Sequence, residues 1–134
     1  EVEQIRIPIT LVPTGNENNG TQTTAEVITG YLDFWSEVYG DDVEAHWKVT
    51  ITTPQTYITY VNLSVLWSSG GIDVFESFNY PTYGVPTSVS NVAYNSYYIS
   101  GKHQASIAGS VSTTKGVTYT VNPDPIIFTP TKNF

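Results

Sequence analysis

Residues 43–67 read VEAHWKVTITTPQTYITYVNLSVLW, and this stretch decides the fold class. Val43, Ala45, Trp47, Val49 and Ile51 alternate with Glu44, His46, Lys48, Thr50 and Thr52. After Thr53-Pro54-Gln55-Thr56 the alternation resumes through Tyr57, Val61, Leu63, Val65 and Trp67, with Thr59 interrupting it. A period of two buries one face of a strand and wets the other. Two consecutive strands sharing one apolar face, paired as a hairpin, are therefore expected here.

Working outward, Glu3–Val12 places Ile5, Ile7, Ile9 and Leu11 on one face and Pro8 on the other. A proline there suits an edge strand, whose outward N–H needs no partner. Thr14–Thr24 is a polar loop, long enough to carry a function of its own. Ala25–Ser36 turns apolar again, and its threonine, glycine and aromatic content favours a strand over a short helix through Asp33–Tyr39. Gly40-Asp41-Asp42 then makes a turn. Further strands are expected over Ile72–Phe78, Val89–Ile99, Gln104–Val111 and Gly116–Val121. The connection Asn79–Ser88 suits a crossover between sheets. Ser112–Gly116 reads as the turn of a hairpin that aligns Ile107, Gly109 and Val111 with Val117, Tyr119 and Val121. Ile126, Ile127 and Phe128 lie among prolines, as a short edge strand or a cover over the core.

Seven to nine short strands at a spacing of about ten residues signal a sandwich or barrel. The expectation is an all-β chain forming one antiparallel Greek-key β-sandwich domain, immunoglobulin-like, over residues 1–134.

Composition narrows the function classes. Twelve Asp and Glu against five Lys and Arg give a formal charge of -7, without a basic stripe. Nucleic acids and anionic membranes are therefore disfavoured as partners. No apolar run is long enough to span a bilayer as a helix, so a soluble chain without membrane insertion is expected. The chain has no cysteine, which removes disulfides and thiolate chemistry, and no methionine, which makes Glu1 read as a processing boundary. Abundant Thr, Ser, Tyr and Asn with little lysine suit a secreted or cell-surface protein. Asn19-Gly20-Thr21 and Asn62-Leu63-Ser64 are glycosylation sequons, the second with its asparagine on the solvent side of a strand.

Catalytic signals are weak. His46 and His103 are the two histidines, both read as solvated surface residues, and no Gly-x-Ser-x-Gly elbow exposes a nucleophile. Asp33, Glu37, Asp41, Asp42 and Glu44 put five of the twelve acids within a short stretch, read mainly as a solvated edge because so small a domain has little room for a deep cleft. Calcium, which takes several oxygens from flexible turns, is the candidate ion, with Asp41, Asp42 and Glu44 as its ligands. No organic cofactor is implied.

Aromatic side chains are the larger resource, with three Trp, ten Tyr and five Phe. Tyr31 and Trp35 fall on one face of their strand with Asp33 between them, a stacking platform flanked by a carboxylate. Tyr80 and Tyr83, beside the long connection, are the second choice for contacts. The expected function is that of a non-catalytic, secreted or cell-surface binding domain for a carbohydrate or extracellular protein. The alternative is a structural or self-associating matrix protein, a homo-oligomer paired through Ile58, Tyr60 and Leu66. A minor alternative is a pore-forming toxin, through the Ser/Thr-rich hairpin at Ala105–Val121.

Overall fold

A computed structural model describes residues 5–13, 28–68, 73–97, 101–120 and 126–129. Among these residues nine strands follow in order: β1 (Ile5–Pro13), β2 (Gly30–Tyr39), β3 (Asp42–Ile51), β4 (Ile58–Ser68), β5 (Asp73–Pro81), β6 (Ser88–Ser96), β7 (His103–Thr113), β8 (Gly116–Thr120) and β9 (Ile126–Phe128). They build two antiparallel sheets. One contains β1, β2, β3 and β6, and the other contains β5, β4, β7 and β8. β9 lies beside β7 at His103–Ala105, while β8 pairs with β7 at Ser110–Thr113. The chain is all-β, with its two sheets arranged as in a β-sandwich.

β1 belongs to both sheets. Ile5–Thr10 pair with β2, and Leu11–Pro13 pair with β8. Its first half has one described neighbour, as expected of an edge strand carrying Pro8. The loop expected at 14–24 and the sequon at Asn19 lie outside the described residues.

β2 and β3 form a tight hairpin closed by Gly40 and Asp41, with Tyr39 opposite Asp42. Gly40 has a φ of 67°, the backbone that glycine supplies at the first central position of a two-residue hairpin turn. Pairing along this hairpin runs unbroken from Tyr39↔Asp42 to Gly30↔Ile51, so all inward side chains fall in phase. Leu32, Phe34, Val38, Val43, Ala45, Trp47, Val49 and Ile51 are buried.

The expected β3–β4 hairpin does not form, because the two strands lie in different sheets. Pro54 cannot donate to a ladder and Gln55 takes a φ of 55°, so the chain arches across the core instead of turning back on itself. The arch is pinned from the far sheet, where Thr114 N–H donates to the Tyr57 carbonyl at 2.9 Å and Lys115 Nζ donates to the Pro54 carbonyl at 3.3 Å. The shared apolar face therefore faces itself across the core. Trp47 meets Phe78 of β5 edge-on, with ring centroids 5.4 Å apart. Trp67 meets Phe128 at 5.7 Å and Tyr97 at 6.2 Å in the same manner.

A second correction concerns Ile58. The β4–β7 register shifts between Ile58 and Tyr60, and this bulge resets the alternation that Thr59 interrupts. Ile58 is therefore buried and belongs to the core, whereas Tyr60 and Leu66 remain on the outer face. Asn62 is exposed, as its sequon requires.

A third correction falls on the β7–β8 hairpin. Its loop is only Thr114-Lys115, because Thr113 pairs with Gly116. Ser110 then opposes Tyr119 and Val111 opposes Thr118, so Thr118 turns inward and Tyr119 outward. The buried hydroxyls are satisfied locally: Thr113 donates to the Gly116 carbonyl at 2.8 Å and Thr118 to the Val111 carbonyl at 3.3 Å.

Candidate recognition face and acid–histidine cluster

Strict alternation along the β2–β3 hairpin sends Tyr31, Asp33, Trp35, Glu37 and Tyr39 of β2, and Asp42, Glu44, His46 and Lys48 of β3, to the outer face of their sheet. β6 adds Tyr94 opposite Glu44, Val92 opposite His46 and Ser96 opposite Asp42. Three strands thus contribute ordered rows of polar and aromatic side chains to one face.

The centre of this face is a coupled group. Glu37 and Glu44 oppose each other across the hairpin. His46 Nε2 lies 2.9 Å from Glu44 Oε1 and 3.4 Å from Glu37 Oε2. Its imidazole stacks on the Trp35 indole with ring centroids 5.2 Å apart and planes 11° from parallel. Trp35 Nε1 donates to Glu37 Oε2 at 3.3 Å, and Tyr39 Oη donates to Glu37 Oε1 at 2.6 Å. The Tyr39 bond is the main cause that holds the Glu37 carboxyl below its ordinary pKa. Partial burial opposes that shift, and the Trp35 N–H and the charge of His46 add to it. Tyr39 is pushed up to about 12, first by its bond to Glu37, then by desolvation and by the charges of Glu37 and Glu44.

Beside this group an open groove of about 660 Å³ is lined by Tyr39, Asp42, Val43, Glu44, Tyr94, Asn95 and Ser96. Tyr39 and Tyr94 are exposed, and the carboxylates of Asp42 and Glu44 lie between their strands. Ser96 Oγ donates to Asp42 Oδ1 at 2.6 Å, which orients that carboxylate.

Of the residues singled out from sequence, Tyr31 is exposed and Asp33 half-buried. Trp35 is also half-buried, and His46 covers one face of its ring. Tyr83 is 85% exposed in the connection after β5, whereas Tyr80 packs partly against the core and accepts a bond from Asn91 Nδ2 at 3.3 Å. Among the described residues, one group of three potential ligands comes together, and it joins Glu44 to Glu37 and His46, not to Asp41 and Asp42.

His46 is not the solvated histidine its polar-face position suggests, since an indole and two carboxylates enclose it. His103 is likewise half-buried, its ring 4.2 Å from that of Tyr97. Sequence reading passed over Tyr39 and the joining of Glu37 to His46. The signal was present in the two-residue turn at Gly40-Asp41, which fixes Glu37 opposite Glu44.

No protein-family model, curated protein or solved structure matches this chain.

Proposed function

We propose that this chain is a secreted or cell-surface, non-catalytic binding domain that recognises a carbohydrate or an extracellular protein through the outer face of the β2–β3–β6 sheet. The observation that carries the reading is the groove in which exposed Tyr39 and Tyr94 flank the carboxylates of Asp42 and Glu44. Tyrosine rings stack on the apolar faces of sugars, and carboxylates accept bonds from their hydroxyls. Tyr31 extends the same face from the far end of β2. Asp41, Asp42 and Glu44 remain the candidate calcium ligands of this reading, the last two lining the groove and Asp41 in the turn before them.

No helix among the described residues is long and apolar enough to cross a membrane. An immunoglobulin-like Greek key is supported by the path of the chain: β3 and β6 are neighbours in one sheet while β4 and β5 pair in the other.

Co-sedimentation with a panel of insoluble polysaccharides and cell walls tests the reading. Saturable retention is expected, and Tyr39→Ala with Tyr94→Ala abolishes it while circular dichroism shows the variant folded. Failure of the native chain to bind any member removes the carbohydrate reading.

One observation favours self-association as the second reading. Leu66 and Phe75 oppose each other on the outer face of the β4–β5 pair and are 36% and 65% exposed. A concentration-dependent mass in solution tests it.

A further inference from the structure

Glu37 and His46, which recognition of a sugar or protein does not use, come together with Glu44, which also lines the groove. Their potential ligand atoms all lie within 4.8 Å of one another. Two atoms bound to one cation at about 2.1 Å stand about 3.0 Å apart across an octahedral edge and about 3.4 Å apart across a tetrahedral one. The His46 Nε2 spacings to Glu44 and Glu37, 2.9 and 3.4 Å, are of this size.

We propose that Glu37, Glu44 and His46 form a binding site for a divalent transition cation such as zinc, set beside the recognition groove. The imidazole nitrogen decides the class of ion. Calcium and magnesium take oxygen ligands, whereas an imidazole joined to carboxylates suits zinc and its neighbours in the first transition row. The site shares Glu44 with the calcium set Asp41, Asp42 and Glu44 and differs from it in the other two ligands and in the ion.

Two observations distinguish this cluster from an ordinary patch of surface charge. Directly opposed glutamates on paired strands repel one another, and a dication between them turns that cost into attraction. The side chains around them also hold the ligands in place. Trp35 stacks on the imidazole, and both oxygens of Glu37 accept bonds from Trp35 and Tyr39 while each keeps a second lone pair. A third observation points outward to a ligand. Glu44 also lines the open groove, and the three side chains keep between 19% and 27% of their exposure, so the cluster is open to an ion and to a donor atom of a bound molecule.

Isothermal titration of the full chain with zinc chloride, with calcium chloride as the comparison, tests the proposal. One zinc per chain is expected, with affinity weakened roughly tenfold or more in each of Glu37→Gln, Glu44→Gln and His46→Gln. His103→Gln retains the affinity of the native chain. Zinc raises the melting temperature of the native chain more than that of the three variants. Far-UV circular dichroism shows which variants fold, and if His46→Gln does not, the two glutamate variants carry the test. Absence of zinc uptake, uptake indifferent to these substitutions, or calcium uptake of equal strength that Glu37→Gln and His46→Gln abolish overturns the proposal. None of these readouts requires the groove to bind a sugar, so failure here and failure of the recognition reading are distinguishable.

Discussion

Glu76 of β5 accepts the backbone N–H of Tyr94 of β6 at 3.2 Å, so a side chain from the last strand of one sheet caps the last strand of the other. Asn91, on β6 itself, covers a second N–H two residues away, its Oδ1 accepting from Val92 N–H at 2.8 Å. An uncharged, β-prone strand such as Ser88–Ser96 is otherwise a template for adding a strand from another molecule. Glu76→Ala combined with Asn91→Ala is expected to give concentration-dependent association, read by analytical ultracentrifugation, at a stability cost of about 1 kcal/mol per bond. A variant that stays monomeric at high concentration would show that the caps do not guard this edge.

Gly109 sits opposite Leu63 in the β4–β7 ladder with a φ of 141°. A methyl group there would strike the Asn62 carbonyl and lie 2.9 Å from Leu63 Cα. Gly109→Ala is expected to cost more than about 2 kcal/mol, from backbone strain added to a clash that backbone atoms cannot evade. Gly84 also has a positive φ, but its added methyl meets nothing within 4 Å. Gly84→Ala should cost only about 1 kcal/mol. Urea unfolding of both variants checks the contrast.

The bulge in β4 predicts opposite outcomes at two apolar positions of that strand. Ile58→Ser places a hydroxyl in the core and should destabilise by about 3 kcal/mol or more. Leu66→Ser on the outer face should stay within about 0.5 kcal/mol of the native chain. Thermal denaturation separates the two.

Two tyrosines should ionise late in an alkaline titration followed in the ultraviolet, with metal chelated. Tyr39 is raised to about 12 chiefly by Glu37, and Tyr97 is raised chiefly by its burial. A folded pKa above the unfolded value means a contribution to stability that is complete below about pH 10 and lost as pH rises through the folded pKa. Glu37 has the opposite sign: its lowered carboxyl stabilises above its unfolded pKa and stops doing so as pH falls through the folded one. Glu37→Gln should therefore return Tyr39 to the main tyrosine transition and leave Tyr97 late.

Much of the fold was legible in residues 43–67 because alternation reports burial directly, and Trp47 and Trp67 lie in the core as their phase requires. Alternation does not say which strand is the neighbour. Val43–Ile51 and Ile58–Trp67 share a face whether they pair as a hairpin or face each other across a core, and the arch at Pro54-Gln55 chose the second. A one-residue shift of register inverts the phase: the bulge before Tyr60 turns Ile58 into the core, and the two-residue loop at Thr114-Lys115 turns Thr118 inward. The site was less legible, because the enclosure of His46 depends on a cross-strand pair and on an indole two residues from Glu37. Its histidine and glutamates each look like ordinary surface residues when taken singly.

Recognition through the β2–β3–β6 face is tested most directly by comparing the two outer faces on one set of ligands. The native chain, Tyr39→Ala with Tyr94→Ala, and Leu66→Ser with Phe75→Ser would be sedimented with the same polysaccharides and cell walls. Saturable binding is expected from the native chain and from the Leu66/Phe75 variant, and none from the Tyr39/Tyr94 variant. Binding that survives loss of both tyrosines, or that disappears with Leu66 and Phe75 instead, would contradict it.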